Sequence, residues 1–225
     1  FYFDYNRFMV TLDEMYEQVL QADVSGVAIQ SRLQLGKQLS KKYNNNIYMK
    51  REDTQSVFSF KCRGAYNKIR QLSNHEKSAG IIAASAGNHA QGVALAASKL
   101  GIKAKIVMPV TTPLIKVEAV RALGAKVVLS GDSFDEAAVR AAALVEAEGL
   151  TFIHPFDDPD VIAGQGTVAV ELVRQASRPL DYVFVCCGGG GLLAGMATYL
   201  RYVWPQTKII GVEPEDAACV QAALN

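Results

Sequence analysis

One lysine stands in surroundings that lysine side chains rarely share. Lys61 lies between two aromatic residues, Phe58 and Phe60, and the Arg63-Gly64 pair, where the pattern predicts the start of a helix. Apolar neighbours remove water from an ammonium group, and this desolvation favours the neutral amine. A neutral amine is the nucleophile that forms a Schiff base with a carbonyl group. Lys61 is therefore a candidate for covalent chemistry with a carbonyl cofactor, although most lysines in proteins are plain surface charges.

Four consecutive glycines form the second candidate site. Gly188, Gly189, Gly190 and Gly191 precede a predicted helix that begins near Leu192. A backbone without side chains can turn several N–H groups towards one point, and the start of a helix adds about half a positive charge. Both features suit a phosphate group. A plain turn from strand to helix needs only one or two glycines, and the spacing matches neither the P-loop nor the dinucleotide-binding motif.

A short polar loop forms the third candidate. Ser85, Ala86, Gly87, Asn88 and His89 join a predicted strand to a predicted helix. The N–H groups at the start of the helix and the serine hydroxyl suit a carboxylate, and the asparagine amide offers both a donor and an acceptor. Serine and asparagine are equally typical of an ordinary helix cap. Spacing alone leaves both interpretations open, and the histidine is expected to support the loop.

The remaining histidines and the acidic residues predict no further catalytic site. His75 lies in a polar run and is expected to face solvent, and His154 is expected to be structural. No serine can be paired with a histidine as an activated nucleophile. Asp157, Asp158 and Asp160 lack the glycine and the terminal glutamate of a calcium loop, so they predict a solvated turn.

The elements that must position these candidates alternate along the chain. We predict helices over residues 12–20, 33–42, 61–72, 89–100, 113–124, 134–148, 161–176 and 192–203. We predict strands over residues 47–49, 81–84, 105–107, 127–129, 182–185 and 209–212. Such alternation predicts an α/β fold with parallel sheets, and ligands of these sheets bind outside the carboxyl ends of the strands. The glycine run and the polar loop both follow predicted strands, so both belong at that edge.

The composition excludes several other classes of protein. The 225 residues are 50% hydrophobic and 20% charged, with a net charge of +1, which argues against a nucleic-acid surface. The apolar runs are too short to span a membrane. Four cysteines without disulfide or metal spacing predict reduced thiols in an intracellular protein. The acidic N-terminal region is no signal peptide, and a start at Phe1 is compatible with a removed transit segment or a trimmed chain, so we expect the cytoplasm or an organelle.

The candidate segments occur together in one known family. Residues 50–61, 84–94, 162–167 and 188–195 resemble, in this order and spacing, the fold-type II pyridoxal-phosphate enzymes. The chain is most similar to the biosynthetic threonine deaminases (threonine ammonia-lyases), and the resemblance spans about residues 27–222. Serine racemase and the catabolic serine/threonine dehydratases share the architecture but match the lysine segment less well.

The resemblance implies an architecture. Family members have two lobes, as in the tryptophan synthase β subunit, with the cofactor in the cleft between them. A smaller lobe is expected over residues 60–155, and a larger lobe over residues 1–59 and 156–225. Family catalytic domains continue beyond the last residue of this chain, so the larger lobe is expected to be incomplete and to expose a strand edge and apolar surface.

The resemblance also implies a role for each candidate. Lys61 is expected to hold pyridoxal 5′-phosphate covalently and to remove a proton from the substrate. Asn88 is expected to contact the 3′-oxygen of the cofactor ring, and residues 188–192 to bind its phosphate. The N–H groups of residues 85–89 are expected to hold the carboxylate of an amino-acid substrate. The implied reaction converts L-threonine into 2-oxobutanoate and ammonia, for isoleucine biosynthesis.

Some residues depart from the family pattern. Ser31-Arg32 stands where relatives usually have a small residue followed by proline, and Cys62 and the Cys186-Cys187 pair replace more usual residues. Glu213 matches one acidic residue of the divalent-metal site of serine racemase. The second acidic residue of that site, an aspartate, is replaced by Cys219, so we predict no metal at this position. Three alternatives stay open: serine or threonine dehydratase activity, serine racemase activity, and a non-catalytic fragment that binds a phosphate ligand. The full-length protein is expected to be a homo-oligomer.

Overall fold

The computed structural model describes residues 10–224, in which helices and strands alternate. The helices are α1 (Leu12–Gln21), α2 (Lys37–Tyr43), α3 (Lys61–Gln71), α4 (Asn74–Ala79), α5 (Asn88–Leu100), α6 (Leu114–Ala122), α7 (Phe134–Glu148), α8 (Pro159–Gln175), α9 (Gly191–Val203) and α10 (Cys219–Leu224). The strands are β1 (Leu33–Leu35), β2 (Tyr48–Lys50), β3 (Ile81–Ala84), β4 (Ala104–Met108), β5 (Lys126–Leu129), β6 (Thr151–Phe152), β7 (Tyr182–Cys186) and β8 (Lys208–Val212). The α/β class predicted from the alternation is confirmed.

A four-stranded parallel sheet has the order β5-β4-β3-β6. Successive side chains of a strand point to opposite faces, so each strand contributes to two cores. On β3, Ile81 and Ala83 pack against α3, α5 and α6, whereas Ile82 and Ala84 pack against α7. All four side chains are buried. Helices therefore cover both faces of this sheet, as expected of parallel strands with continuous apolar runs.

A further core, separate from the two beside the four-stranded sheet, lies under the parallel pair β7-β8. It is built from α1, α8, α9 and β7, with fully buried side chains such as Val19, Ala169 and Leu200. The opposite face of β7 is open: Tyr182 is 49% and Phe184 is 68% exposed, and their rings stack. Apolar surface is thus exposed on this sheet. The boundaries between the two lobes remain a prediction.

The helix predicted over residues 33–42 is wrong in its first part. Residues 33–35 form the strand β1, which pairs antiparallel with β2, and the helix itself spans Lys37–Tyr43. Hydrogen bonds from Gly36 N to Ile47 O (2.8 Å) and from Arg51 N to Arg32 O (3.0 Å) extend the pairing on both sides. Local periodicity could not show this, because β1 is defined by its pairing with β2, which follows α2 in the chain.

Three helices approach one another closely at glycines. A methyl group at Gly164 of α8 would lie 2.7 Å from Cα of Gly64 in α3. A methyl group at Gly195 of α9 would lie 2.3 Å from the carbonyl oxygen of Ile162 in α8. Side chains at these positions would force the helices apart. The backbones of α3 and α9 therefore both press against the first half of α8, each within about one turn of its own N-terminus.

Candidate active site

Lys61 is the first residue of α3 and is half-buried. Its Nζ donates a hydrogen bond of 2.6 Å to the carbonyl oxygen of Pro155 and lies 5.6 Å from the centre of the Phe60 ring. Gly92 of α5 packs against its backbone, since a methyl group there would lie 2.9 Å from the carbonyl oxygen of Lys61. The chain on either side of the lysine is thus held by close contacts.

The pKa of the Lys61 amine is lowered, and the main cause is burial, which Cys186 opposes only in part. No carboxylate of the described residues is among the groups that act on this pKa. The N-terminal end of a helix is also an unfavourable place for a positive charge. Lys68, on the same helix, is a contrast. Burial lowers the pKa of its amine, but ion pairs with Asp158 (2.9 Å) and Asp160 (3.0 Å) together have the larger effect, so the pKa of Lys68 is raised overall. The environment therefore favours the neutral amine at Lys61 and not at Lys68.

Phe58 does not desolvate the lysine, contrary to the interpretation of the sequence. Its side chain is 75% exposed, and its backbone has a φ of 56°, in the left-handed region. That conformation is rare for a bulky residue and directs the ring outwards. Of the two flanking aromatics, Phe60 is the one beside the amine. Two further neighbours of the amine, Pro155 and Cys186, come from distant parts of the chain.

The glycine run forms a tight loop between β7 and α9. Gly190 has a φ of 84°, which glycine adopts without strain. A methyl group at Gly191 would lie 2.7 Å from the carbonyl oxygen of Phe156, so the backbone segments touch. Within the described part of the chain, the N–H groups of residues 188–192 donate to no acceptor. Five donors at the start of a helix therefore remain for an anion.

The lysine and the glycine loop line the same cavity, whose volume is about 240 Å³. Its walls are Phe60, Lys61, Pro155, Phe156, Gln165, Cys186, Cys187, Gly188, Gly189, Gly190, Gly191 and Leu192. The lining thus includes an amine with a lowered pKa and the loop whose N–H groups have no acceptor in the described chain. The amine and the N–H groups together fit a ligand that carries both an aldehyde, which an amine can attack, and a phosphate, which N–H groups can bind.

Contrary to the expectation from the sequence, the polar loop does not share a sheet edge with the glycine run, because β3 and β7 belong to different sheets, and residues 85–89 do not line this cavity. The loop leaves the end of β3, where Ser85 N donates to Val107 O, and Gly87 N donates to the Ser85 hydroxyl (3.2 Å). The N–H groups of Ala86, Asn88 and His89 have no acceptor within residues 10–224. Asn88 is exposed. The loop therefore has free donors at the start of α5, the helix that packs on Lys61.

His89 is buried beneath this loop and is only 3% exposed. Its Nε2 lies 2.9 Å from the carbonyl oxygen of Ile153, which fixes the proton on that nitrogen because a carbonyl only accepts. Burial lowers the pKa of His89 to about 3, and nearby Lys61 and His154 add to the effect. The imidazole is therefore neutral at physiological pH, and its position suits a supporting role.

The other two histidines have the surroundings expected of them. His75 is exposed. His154 Nδ1 accepts hydrogen bonds from the backbone N–H groups of Phe156 (3.3 Å) and Asp157 (2.7 Å), so it shapes the turn that carries the cavity wall.

No group of three or more metal-ligating side chains occurs among the described residues. None of the helices in that part of the chain is long and apolar enough to cross a membrane.

A buried charge network was missed by the sequence interpretation. Arg63, two residues after Lys61, has no exposed surface. It donates two hydrogen bonds of 2.8 Å to the carboxylate of Glu52 and one of 2.8 Å to Glu171. Burial lowers its pKa, but these hydrogen bonds more than compensate and raise it. The guanidinium is thus permanently charged and holds α3 against α8.

Lys50 completes the network with a second positive charge. Its Nζ donates to Glu171 (2.5 Å) and to the carbonyl oxygen of Ser31 (2.7 Å). Two cations and two carboxylates therefore neutralise one another in the interior. The charges at residues 50–63 are visible in the sequence, but Glu171 lies on a distant helix. The pairing is decided by the packing of α3 on α8, which the sequence pattern does not show.

The similarity to known proteins extends over nearly the whole chain. A family model described as pyridoxal-phosphate dependent enzyme matches residues 25–225. The biosynthetic, chloroplastic threonine dehydratase of Arabidopsis thaliana is 58% identical over 212 residues, which cover 94% of this chain and 36% of that protein. This chain therefore spans little more than a third of the length of that relative.

Solved structures share the fold. The processed form of threonine deaminase isoform 2 from Solanum lycopersicum has a TM-score of 0.92 and 54% sequence identity, over 95% of this chain and 58% of that chain. Maize serine racemase has a TM-score of 0.88 and 32% identity, over 97% of this chain and 66% of that chain. The arrangement of helices and strands described above is thus that of these two proteins.

Proposed function

The chain belongs to the family of pyridoxal-phosphate-dependent enzymes, and from this premise we propose that the protein deaminates L-threonine to 2-oxobutanoate and ammonia. The fold-type II architecture expected from the sequence is confirmed. The names of the threonine dehydratase and threonine deaminase relatives support the choice of substrate and a role in isoleucine biosynthesis. The observation that carries the proposal is the cavity shared by Lys61 and the glycine loop.

Lys61 has the central role in this proposal. Pyridoxal phosphate, when bound, supplies an electron sink for negative charge at the α-carbon of an amino acid. The Lys61 amine binds the cofactor covalently and, once released, accepts the proton of the substrate α-carbon. Its lowered pKa supports both tasks, because each requires the unprotonated amine. The Pro155 carbonyl accepts a hydrogen bond from the amine and orients it.

The glycine loop has the role of the phosphate anchor. Its unpaired N–H groups and the start of α9 attract a group with roughly two negative charges. Phe156 packs against Gly189 and Gly191 and holds the loop in shape. The N–H groups therefore keep their directions before a ligand arrives, which lowers the entropic cost of binding.

The polar loop has the role of the substrate site. In this proposal the N–H groups of residues 85–89 bind the carboxylate of threonine, and Asn88 contacts the 3′-oxygen of the cofactor ring. Two observations support it: the free donors at the start of α5, and the contact of Gly92 with the backbone of Lys61. The substrate site and the lysine would then belong to one packed pair of helices.

The lysine is tested by absorbance. We expect added pyridoxal phosphate to give a visible absorbance band with the wild-type protein and none with Lys61→Ala. Lys68→Ala is the matched control, because it removes a lysine from the same helix, and we expect it to retain the band. A folded wild-type protein without the band, or a Lys61→Ala variant that keeps it, would contradict the proposed role.

The reaction is tested by product formation. With threonine we expect 2-oxobutanoate and ammonia in equal amounts, and loss of at least about a thousandfold in rate for Lys61→Ala. Cofactor binding without any 2-oxoacid would instead favour the alternative of a non-catalytic chain that binds a phosphate ligand.

A second activity is favoured by one observation, the structural likeness to maize serine racemase. Serine is therefore offered beside threonine. Pyruvate would identify serine dehydratase activity, and D-serine, separated on a chiral column, would identify racemase activity. We expect threonine to be the preferred substrate.

Location and assembly complete the proposal. We propose an intracellular site, in the cytoplasm or an organelle, which the name of the chloroplastic Arabidopsis relative supports. We also propose that the full-length protein is a homo-oligomer. Light scattering of the full-length protein measures its mass, and a monomer at micromolar concentration would contradict this.

A further inference from the structure

One buried polar group at the cavity has no partner. Gln165 of α8 is 1% exposed, and its Oε1 accepts a hydrogen bond of 3.3 Å from the N–H of Gly64. That backbone donor fixes the orientation of the amide, since an oxygen must face it. The other end, Nε2, makes no hydrogen bond within the described part of the chain. A buried donor without an acceptor has lost its hydrogen bonds to water without replacement, so it calls for an explanation.

The position of Gln165 supplies the explanation. The residue lines the cavity that Lys61 and the glycine loop share. It belongs to the part of α8 against which α3 and α9 pack through Gly64 and Gly195. The positive ends of α3 and α9 both begin near this part of α8, so the unpaired amide lies in the region most favourable to an anion.

We infer that Gln165 binds the phosphate group of the cofactor, with its side-chain N–H as donor to a phosphate oxygen. This inference rests on the proposed function, in which the cavity holds pyridoxal phosphate. A phosphate presents three strong acceptor oxygens, each of which can accept more than one hydrogen bond, so a further donor can bind beside those of the glycine loop. A neutral amide adds this donor without a competing charge.

The same side chain then links two parts of the site. Its oxygen holds the first turn of α3, which carries Lys61, through Gly64. Its nitrogen holds the phosphate. The amine and the phosphate are thereby kept at a fixed separation, which positions a reactive carbonyl for attack by the amine. Gln165 is a binding and positioning residue in this account and transfers no proton.

The test compares two ligands that differ only in the phosphate. Gln165→Glu keeps the acceptor for Gly64 and replaces the donor by a negative charge. We expect it to raise the Kd of pyridoxal 5′-phosphate by about 100-fold and the Kd of pyridoxal, which lacks the phosphate, by less than about threefold. Gln165→Met has similar length and no charge, and we expect a smaller selective rise, of about tenfold. Gln38→Glu, the same change on the exposed face of α2, is the control and should leave both values unchanged.

A second readout needs no covalent bond. Inorganic phosphate should raise the unfolding temperature of the wild-type protein, and this protection should shrink in both variants. If both variants weaken pyridoxal and pyridoxal phosphate by the same factor, Gln165 is merely structural and the inference is wrong. Gln165→Met decides the question should Gln165→Glu fail to fold. Failure of the proposed function is distinct, because then the wild-type protein itself lacks the Lys61-dependent absorbance band.

Discussion

The loop between β7 and α9 and the loop between β3 and α5 have the same architecture and different surroundings. Each joins a parallel strand to the N-terminus of a helix, and each leaves several N–H groups unpaired in the described chain. The glycine loop lines the cavity with Lys61, whereas residues 85–89 lie outside its wall. The strands before the two loops belong to different parallel sheets, so the packing around each loop, and not a shared sheet, decides what it can bind.

The packing differs most at one glycine of each loop. Gly191 touches the backbone of Phe156, and a methyl group there would lie 2.7 Å from its carbonyl oxygen. Gly87 has no atom within 4 Å of the place where a methyl group would be. The glycine loop is thus tightly held, as suits a permanent anchor for a cofactor. The polar loop has open space beside it, as suits a substrate that enters and leaves.

The strongest way to break this comparison is the same methyl group in both loops. Gly191→Ala should destabilise the fold by about 1–3 kcal/mol, because the backbone of Phe156 cannot yield cheaply, and should weaken pyridoxal phosphate binding at least about 100-fold. Gly87→Ala should change the free energy of unfolding by less than about 0.5 kcal/mol. Urea unfolding and equilibrium binding measure both; equal effects in the two loops would refute the comparison.

A second prediction concerns Arg63, which holds α3 against α8 and is expected to have a larger effect on stability than Gly191. Arg63→Met leaves the carboxylates of Glu52 and Glu171 without their main partner, and we expect a loss of about 3–5 kcal/mol in the free energy of unfolding. Arg121→Met breaks an exposed pair with Glu118 and should cost less than about 1 kcal/mol. Denaturant unfolding of both variants measures the difference, and a small effect at Arg63 would show that the network does not hold the helix.

The polar loop should affect catalysis more than stability. Asn88 is exposed, so Asn88→Ala should leave the free energy of unfolding within about 0.5 kcal/mol of wild type. The loss of one contact to the reacting groups should lower kcat/KM for threonine about tenfold. The measurement is steady-state kinetics beside urea unfolding, at saturating cofactor. An unchanged kcat/KM would remove Asn88 from the site.

The last prediction concerns the pH dependence of stability through His89. Its pKa is about 3 in the folded protein and 6.5 when unfolded, so the unfolded state binds the proton first. The neutral His89 side chain therefore makes its full contribution to the free energy of unfolding above pH 6.5. This contribution declines as the pH falls towards 3, and about 2 kcal/mol of it is lost at pH 5. His89→Gln should be less sensitive between pH 7 and pH 5, and His75→Gln, at an exposed site, should behave like wild type. Unfolding curves at both pH values decide this.

Much of the site could be predicted from residue types. Lys61 among apolar residues and four glycines before a helix are local signals, because desolvation and backbone freedom depend on near neighbours. Of the two aromatic residues predicted to desolvate the lysine, Phe60 lies beside the amine, whereas the prediction for Phe58 was wrong because its side chain is 75% exposed. The cavity residues Pro155, Phe156 and Gln165 gave no signal of their own, because their roles come from contacts with distant segments.

Periodicity and residue chemistry within a few residues were enough to predict the α/β alternation, the two strand-to-helix loops and Lys61 as the candidate amine. The tertiary structure decided that the amine and the glycine loop share a cavity, that Arg63 pairs with Glu171, and that residues 33–35 are a strand. Such facts depend on which helices and strands meet, and that is settled by the free energy of packing the whole chain, not by any single segment.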